Sequence, residues 1–201
     1  MKLQIELTLT EELLGTVAGD PAVAETYIID KAATPEQRAE EAATVPDVKE
    51  EIEKATTRFH RTPEGNPFIY DYQIKGFFKD ACSSLARADG TLSSKLRAYK
   101  KVIDGTIFVE PRQIMLKLPA GGELGICQRP LRAQTAQGER IALARSETVP
   151  AGTRLAFTVV LLSDKIEGLA TEWFEYGTLR GLGQWRNSGK GRFQAKIGSP
   201  E

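Results

Sequence analysis

Residues 2 to 9 alternate without error: Leu3, Ile5, Leu7 and Leu9 are apolar, and Lys2, Gln4, Glu6 and Thr8 are polar. Successive side chains of a strand point to opposite faces, so this stretch predicts a strand with one dry face and one wet face. A sheet that begins this way needs cover on one side only. Two later segments carry the helical period that such a cover requires. Ile74, Phe77, Phe78, Ala81 and Leu85 recur at spacings of three and four, which predicts a helix from about Gln73 to Ala88. Asp164 is placed to cap a second helix running to about Arg180, with Ile166, Leu169, Trp173, Phe174 and Gly177 facing inward.

The remaining strands are bounded by turn residues. Thr106 to Val109 and Gln113 to Leu118 lie between Gly105, Pro111 and Pro119. Ile126 to Arg132 and Arg140 to Arg145 are separated by the polar run Gln134 to Gly138, and Arg154 to Leu162, rich in Phe, Val and Leu, reads as a central strand. A shorter helix is expected from Thr91 to Lys101, a turn at Leu13 to Thr16, a turn at 62–67 followed by an extended Phe68 to Tyr70, and a closing strand from Arg192 to Ile197. The resulting order predicts an α+β fold, a ferredoxin-like or RRM-like βαββαβ sandwich. It carries a helical acidic insertion after the first strand and a β-hairpin excursion in the middle. One domain over residues 1–201 is expected, with residues 10–66 inserted in it.

Within that insertion a short helical stretch through Tyr27, Ile28 and Ile29 is followed by stronger signals. Thr34, Pro35 and Gln37 supply an N-cap, a first-turn proline and a capping-box partner for a helix to about Ala43. A second helix is expected from Asp47 to about Thr56, opened by Pro46. Glu36, Glu40, Glu41, Asp47, Glu50, Glu51 and Glu53 stand here against Arg38 and Lys49, with Val48 and Ile52 as a thin apolar stripe. These helices (about 35–56) therefore read as a surface lid or a solvated helical hairpin, held by charge and outside the core.

Gly181-Leu182-Gly183-Gln184-Trp185-Arg186-Asn187-Ser188-Gly189-Lys190-Gly191-Arg192-Phe193 is the densest chemical feature. Glycines let backbone approach a ligand closely, and Trp185, Arg186, Lys190 and Arg192 add a stacking surface and cations. The stretch is not a Walker loop, because no Ser or Thr follows Lys190, and a dinucleotide fingerprint needs glycine where Arg186 stands. It reads either as a cradle for an anionic chain or as a turn before the last strand. The cations tilt it toward single-stranded nucleic acid, with Trp185 on a base or wedged under the loop.

Net charge is zero, which alone argues against nucleic acid, yet residues 10–66 hold 13 acidic and 6 basic residues. The rest of the chain is positive by the same margin, and a basic face suffices for phosphate contact. Cys82 and Cys127 form no Cys-x-x-Cys pair, so no metal site or disulfide framework is indicated, and both are expected reduced and buried. No apolar run reaches membrane-spanning length and the alternating N-terminus is unlike a signal peptide, so a cytoplasmic protein is expected.

Three segments together resemble the RAMP superfamily, the RRM-like backbone subunits and guide-processing nucleases of CRISPR effector complexes. Gly65 to Ala81 is similar to the family's strand followed by small-Lys-Gly, here Lys75-Gly76, at the start of the first helix. Glu147 to Phe157 is similar to its turn before the fourth core strand, and Gly181 to Phe193 to its C-terminal glycine-rich loop. The family's Pro-Gly-Ser run is here Tyr72 to Gly76, so the hydroxyls expected there are missing. The resemblance implies a nucleic-acid surface of Lys75, Gly76, Lys79, Gly181, Gly183, Trp185, Arg186, Gly189, Lys190, Gly191 and Arg192, with the loop and Lys75-Gly76 on one rim. It also implies a single-stranded RNA (or ssDNA) partner, and a homo-oligomer or a subunit of a ribonucleoprotein complex.

Catalysis is the competing reading. Guide-processing relatives use a histidine as general base, and His60, the single histidine, lies between Arg58 and Arg61 where a pKa near the working range is expected. With Tyr70 or Tyr72 it would make a metal-independent endoribonuclease; the bland alternative is a solvent-exposed loop histidine. Target-cleaving subunits carry an Asp after the first strand, a position open to Asp20 or Asp30. Asp71 and Asp80 read as a helix cap and a solvated face. No triad, metal cluster or carboxylate pair is apparent, so no cofactor is expected and a non-catalytic RNA-binding module is favoured. A third reading is a phage-encoded structural or decoy protein that binds CRISPR-type effector subunits.

Overall fold

The computed structural model describes residues 1–20, 23, 34–43, 54–135 and 138–198. In chain order its strands are β1 (Lys2–Leu9), β2 (Leu13–Leu14), β3 (Thr56–Thr57), β4 (His60–Arg61), β5 (Pro67–Tyr70), β6 (Ile107–Glu110), β7 (Gln113–Met115), β8 (Gly125–Thr135), β9 (Gly138–Val149), β10 (Arg154–Leu161) and β11 (Phe193–Ile197). The helices are α1 (Pro35–Ala43), α2 (Asp71–Leu85), α3 (Tyr99–Thr106) and α4 (Glu167–Arg180).

The core sheet has the order β11-β1-β10-β6, antiparallel throughout. Counted along the βαββαβ unit this is fourth-first-third-second, the ferredoxin-like arrangement, with α2 and α4 as the two crossovers. Ile5 stands opposite Phe157 on one side and Ile197 on the other. The alternation in β1 and β10 sends Leu3, Ile5, Leu7, Leu9, Leu155, Phe157, Val159 and Leu161 to one buried face. Gln4, Glu6, Arg154 and Ala156 face water on the other.

α2 and α4 cover the buried face through rings. Phe78 lies 5.3 Å from both Trp173 and Phe174, and Phe77 lies 5.5 Å from Phe193. Full burial of each such side chain contributes about 1.5–3 kcal/mol. Trp173 Nε1 donates to Ser93 Oγ at 2.9 Å, and the neighbouring Glu172 carboxylate accepts from the amides of Leu92 (2.6 Å) and Ser93 (3.0 Å). That clamp reshapes the segment read as one helix over 91–101. It is a 3₁₀ turn at Ser93–Lys95, an extended Leu96, a left-handed Ala98 and then α3.

Outside the core, β2, β9 and β3 form a second sheet with β8 paired to β9, and β4, β5 and β7 form a third. The expected hairpin is longer than its apolar pattern suggested, pairing from Gly125 opposite Thr148 to Thr135 opposite Gly138. Leu13 and Leu14, read as turn residues, pair with Val149 and Thr148 instead, rooting the hairpin beside the chain that leaves β1. The strand expected to Leu118 stops at Met115, although Lys117 still exchanges two hydrogen bonds with Arg154.

Thr34 and Gln37 form the expected capping box of α1, with Thr34 Oγ1 accepting from the Gln37 amide (3.2 Å) and Gln37 Oε1 from the Thr34 amide (3.3 Å). The stretch at Tyr27 to Ile29, Asp30, and residues 47–53 of the second acidic helix lie outside the described residues. That helix cannot reach Thr56, which belongs to β3.

Candidate nucleic-acid interface

The chain from Gly181 to Arg192 is a closed loop. The Leu182 amide donates to the Gly191 carbonyl (2.9 Å), the Gly191 amide to the Glu12 carbonyl (2.8 Å), and the Thr10 amide to the Arg192 carbonyl (2.8 Å). A side chain at Gly181 would stand 2.8 Å from the Gly191 carbonyl carbon, and one at Gly191 3.0 Å from Leu182 N, so the two glycines permit the crossing. Gly183 and Gly189 also have positive φ. Leu182 is buried under the crossing, and Trp185, itself left-handed, leads into a 3₁₀ turn at Arg186–Ser188.

Each cation of the loop has a definite position. Arg186 Nη1 lies 2.7 Å from Asp80 Oδ2, which also receives Arg180 Nε at 3.1 Å; Arg180 further donates to Asn187 Oδ1. Lys190 Nζ donates to Glu12 Oε1 at 2.5 Å, and this bond holds the ammonium pKa above its usual value. Arg192 is exposed and makes no ion pair among the described residues. Asp80 is thus the shared anchor of two arginines, a correction to its reading as a solvated residue.

Trp185 is 37% exposed, and the Arg129 guanidinium lies 4.8 Å from its ring centroid. Arg129, from β8, is 7% exposed and has no carboxylate partner among the described residues. It donates to Ser146 Oγ (3.2 Å) and to Gln184 Oε1 (3.1 Å), while Gln184 Nε2 donates to the Gly15 carbonyl (2.7 Å). The hairpin therefore fixes one side of the indole. A groove of about 400 Å³ runs along the loop past Arg180, Gly183, Gln184, Trp185, Arg186 and Asn187.

The two shoulders of α2 face different ways. Gly76 borders a second cavity, of about 240 Å³, together with Gly183 and Arg186. Lys75 and Lys79 face α3: Lys75 Nζ donates to the Asp104 carbonyl (3.1 Å) and sits 5.1 Å from the Phe108 ring, and Lys79 Nζ lies 2.6 Å from Asp104 Oδ1. Burial lowers the Lys75 pKa. Gly76 and Arg186 share a rim, and Lys75 and Lys79 do not join the loop cations there.

His60 is enclosed. It is 3% exposed, its ring centroid is 5.6 Å from that of Phe68 and 4.7 Å from that of Tyr70, and burial pushes its pKa down to about 4. Both the exposed-loop expectation and the near-neutral pKa are corrected. Tyr70 is buried too, and Tyr72 stacks on it at 5.5 Å and donates to Glu41 at 3.4 Å. Asp71 is the first residue of α2, whose N-cap is Tyr70, and burial raises its pKa.

α1 is docked through Glu41, fully buried, which bonds Arg112, and through Glu40 against the same guanidinium (3.8 Å). Burial raises the Glu41 pKa. Asp20 is half-buried in the bend after β2, Cys82 is buried, and Cys127, expected buried, is half-exposed. Among the described residues no group of three or more His, Cys, Asp and Glu converges as a metal site, and no helix is long and apolar enough to cross a membrane.

Glu12, Asp80, Arg129 and Gln184 complete the loop surface and were not foreseen as site residues. Lys190 and Glu12 are separated by 178 positions and Arg129 and Gln184 by 55, so no local spacing signals either pair.

No family model and no curated protein matches the chain. Among solved structures it is similar to a chain in the cryo-EM structure of the type III-B Cmr-beta bound to cognate target RNA, at 11% identity and a TM-score of 0.53 over 98% of its length. It spans 59% of that chain. It also matches a chain of a type IV-B CRISPR complex at 13% identity and a TM-score of 0.49, covering 99% of itself and 91% of that chain. At these identities the likeness is one of fold.

Proposed function

We propose that this protein is a non-catalytic, single-stranded RNA-binding module of the RAMP type, acting as a subunit of a ribonucleoprotein complex. The observation that carries this reading is the closed glycine loop, which carries Lys190 and Arg192 and sets Arg186 on a groove of about 400 Å³ beside a half-exposed indole backed by Arg129. Cations that track phosphates next to an aromatic face for bases are what sequence-tolerant single-strand binding needs. Fold likeness to a chain of an RNA-bound CRISPR complex supports the same reading. Binding is favoured over cleavage because His60 is 3% exposed and packed against the rings of Phe68 and Tyr70.

In this reading Arg186, Lys190 and Arg192 contact phosphates, Trp185 stacks on a base, and Gly181, Gly183, Gly189 and Gly191 hold the loop shape. Lys75 and Lys79 act as a separate basic shoulder that a longer strand reaches. The test is a fluorescence-anisotropy salt titration with a labelled oligouridylate, comparing wild type with Lys190→Ala/Arg192→Ala. Each phosphate contact removed lowers the slope of log affinity against log salt by about 0.7. An unchanged slope with unchanged affinity would mean that the loop is only a turn.

A further inference from the structure

The cavity of about 240 Å³ under the glycine loop has apolar walls from Leu13, Phe59, Phe77 and Leu182, and Arg186 at its border. Its lining also includes two hydrogen-bonded polar side chains, Thr16 and Gln73. Gln73 Nε2 donates to Thr16 Oγ1 (2.6 Å) and Gln73 Oε1 accepts from the Tyr70 amide (3.2 Å). One amide hydrogen of Gln73 and the hydroxyl hydrogen of Thr16 are left over by that count. Apolar walls that include two aromatic rings, two donors in the lining and a guanidinium suit a heteroaromatic ring attached to a phosphate.

Gly76 supplies the second, independent observation. It lies inside α2, at ordinary helical φ, and apart from its chain neighbours and the helix's own backbone no atom of the described residues lies within 4 Å of where its Cβ would sit. Glycine in a helix interior is destabilising relative to alanine, and here neither backbone geometry nor close packing asks for it. It is exposed and borders the cavity, so a side chain there would stand at the cavity's rim. The cavity and the groove beside Trp185 meet at Gly183 and Arg186, which border both.

We propose that this cavity takes one unpaired nucleobase of the bound strand, with the adjoining phosphate on Arg186, and that Gly76 is the residue that keeps it open. This rests on the RNA-binding reading above and adds a base site to it. A strand bound this way splays at Arg186, one base on Trp185 and its neighbour in the cavity.

The test uses the full chain and labelled oligouridylate, with Gly76→Ala and Gly76→Leu, thermal melting and anisotropy at several salt concentrations. Both substitutions favour the helix, and Gly76→Ala raises the melting temperature by about 2–4 °C. Losing a base contact lowers affinity by about 5- to 150-fold, most in Gly76→Leu, while the salt slope stays that of wild type. Wild-type affinity in both variants overturns the base site and leaves the RNA-binding reading standing. A loss accompanied by a flatter slope also overturns it, since phosphate contacts would then be what was removed. Failure of the wild-type protein to bind any oligonucleotide overturns both.

Discussion

Gly191→Ala is the sharpest probe of the loop, because two separable costs meet at that residue. Its φ is +71°, a region where an L side chain costs about 1–2 kcal/mol. A methyl group there also meets backbone and not a movable side chain: Leu182 N and carbonyl carbon are 3.0 Å away and the carbonyl oxygen is nearer still. Relief requires parting the crossing, with loss of the bonds from Leu182 N to Gly191 O (2.9 Å) and from Gly191 N to Glu12 O (2.8 Å). At about 0.5–1.5 kcal/mol each, these bring the total to about 2–5 kcal/mol. Gly189→Ala is the control: its φ is +83°, but its nearest neighbours are atoms of the flexible Arg192 guanidinium at 3.4–3.6 Å. It should cost only the conformational part, about 1–2 kcal/mol. Urea unfolding of both variants reads the difference directly, and oligonucleotide affinity should fall further in Gly191→Ala. Equal stabilities would refute the view that the crossing, and not positive φ alone, requires Gly191.

Two further outcomes can be measured. With a folded pKa near 4 against an ordinary 6.5, His60 refuses a proton that the unfolded chain accepts, so its contribution is full above pH 6.5 and is lost as pH falls toward 4. The loss is about 3 kcal/mol, and the stability difference between wild type and His60→Phe should shrink by that amount from pH 7 to pH 4 in urea melts; a difference independent of pH refutes it. Replacing residues 34–55 by a short Gly-Ser bridge removes seven carboxylates and three cations, and should raise oligonucleotide affinity, most at low salt. A fall in affinity would make the segment part of the binding surface, and global unfolding would make it core.

The core sheet was legible because its information is local. Period-two alternation in β1 and the apolar run of β10 specify which face is dry, and the spacing of Phe77, Phe78, Trp173 and Phe174 specifies the cover. Boundaries failed where a distant group overrode propensity. The Glu172 carboxylate and the Trp173 indole hold Ser93 and break the helix expected across it, although Glu172 is 79 residues away. Leu13 and Leu14 look like a turn because a two-residue strand has no period to detect, and only pairing with β9 makes them extended. His60 looked exposed for a similar reason: flanking arginines suggest solvent, while the rings that bury it come from β5.

The cations of the glycine loop were legible in the sequence and their partners were not, and the partners change what the cations can do. Lys190 already carries Glu12, and Arg180 and Arg186 share Asp80, with each of these side chains about one quarter to one third exposed. Exposed pairs of this kind contribute little stability, about 0–1 kcal/mol, so they are easily exchanged. In the proposed RNA-binding reading, a phosphate that took Lys190 would set Glu12 free to recover a counterion, and the net release of ions would be smaller than a count of basic residues implies. Arg192, which has no such partner among the described residues, would on that reading give its contact in full. If the loop binds RNA as proposed, wiring of this kind gives it modest electrostatic affinity in a chain of zero net charge, and the balance must come from contacts that salt does not screen. On that reading the indole of Trp185, held from behind by an arginine that has no carboxylate partner among the described residues, is the group that would supply them.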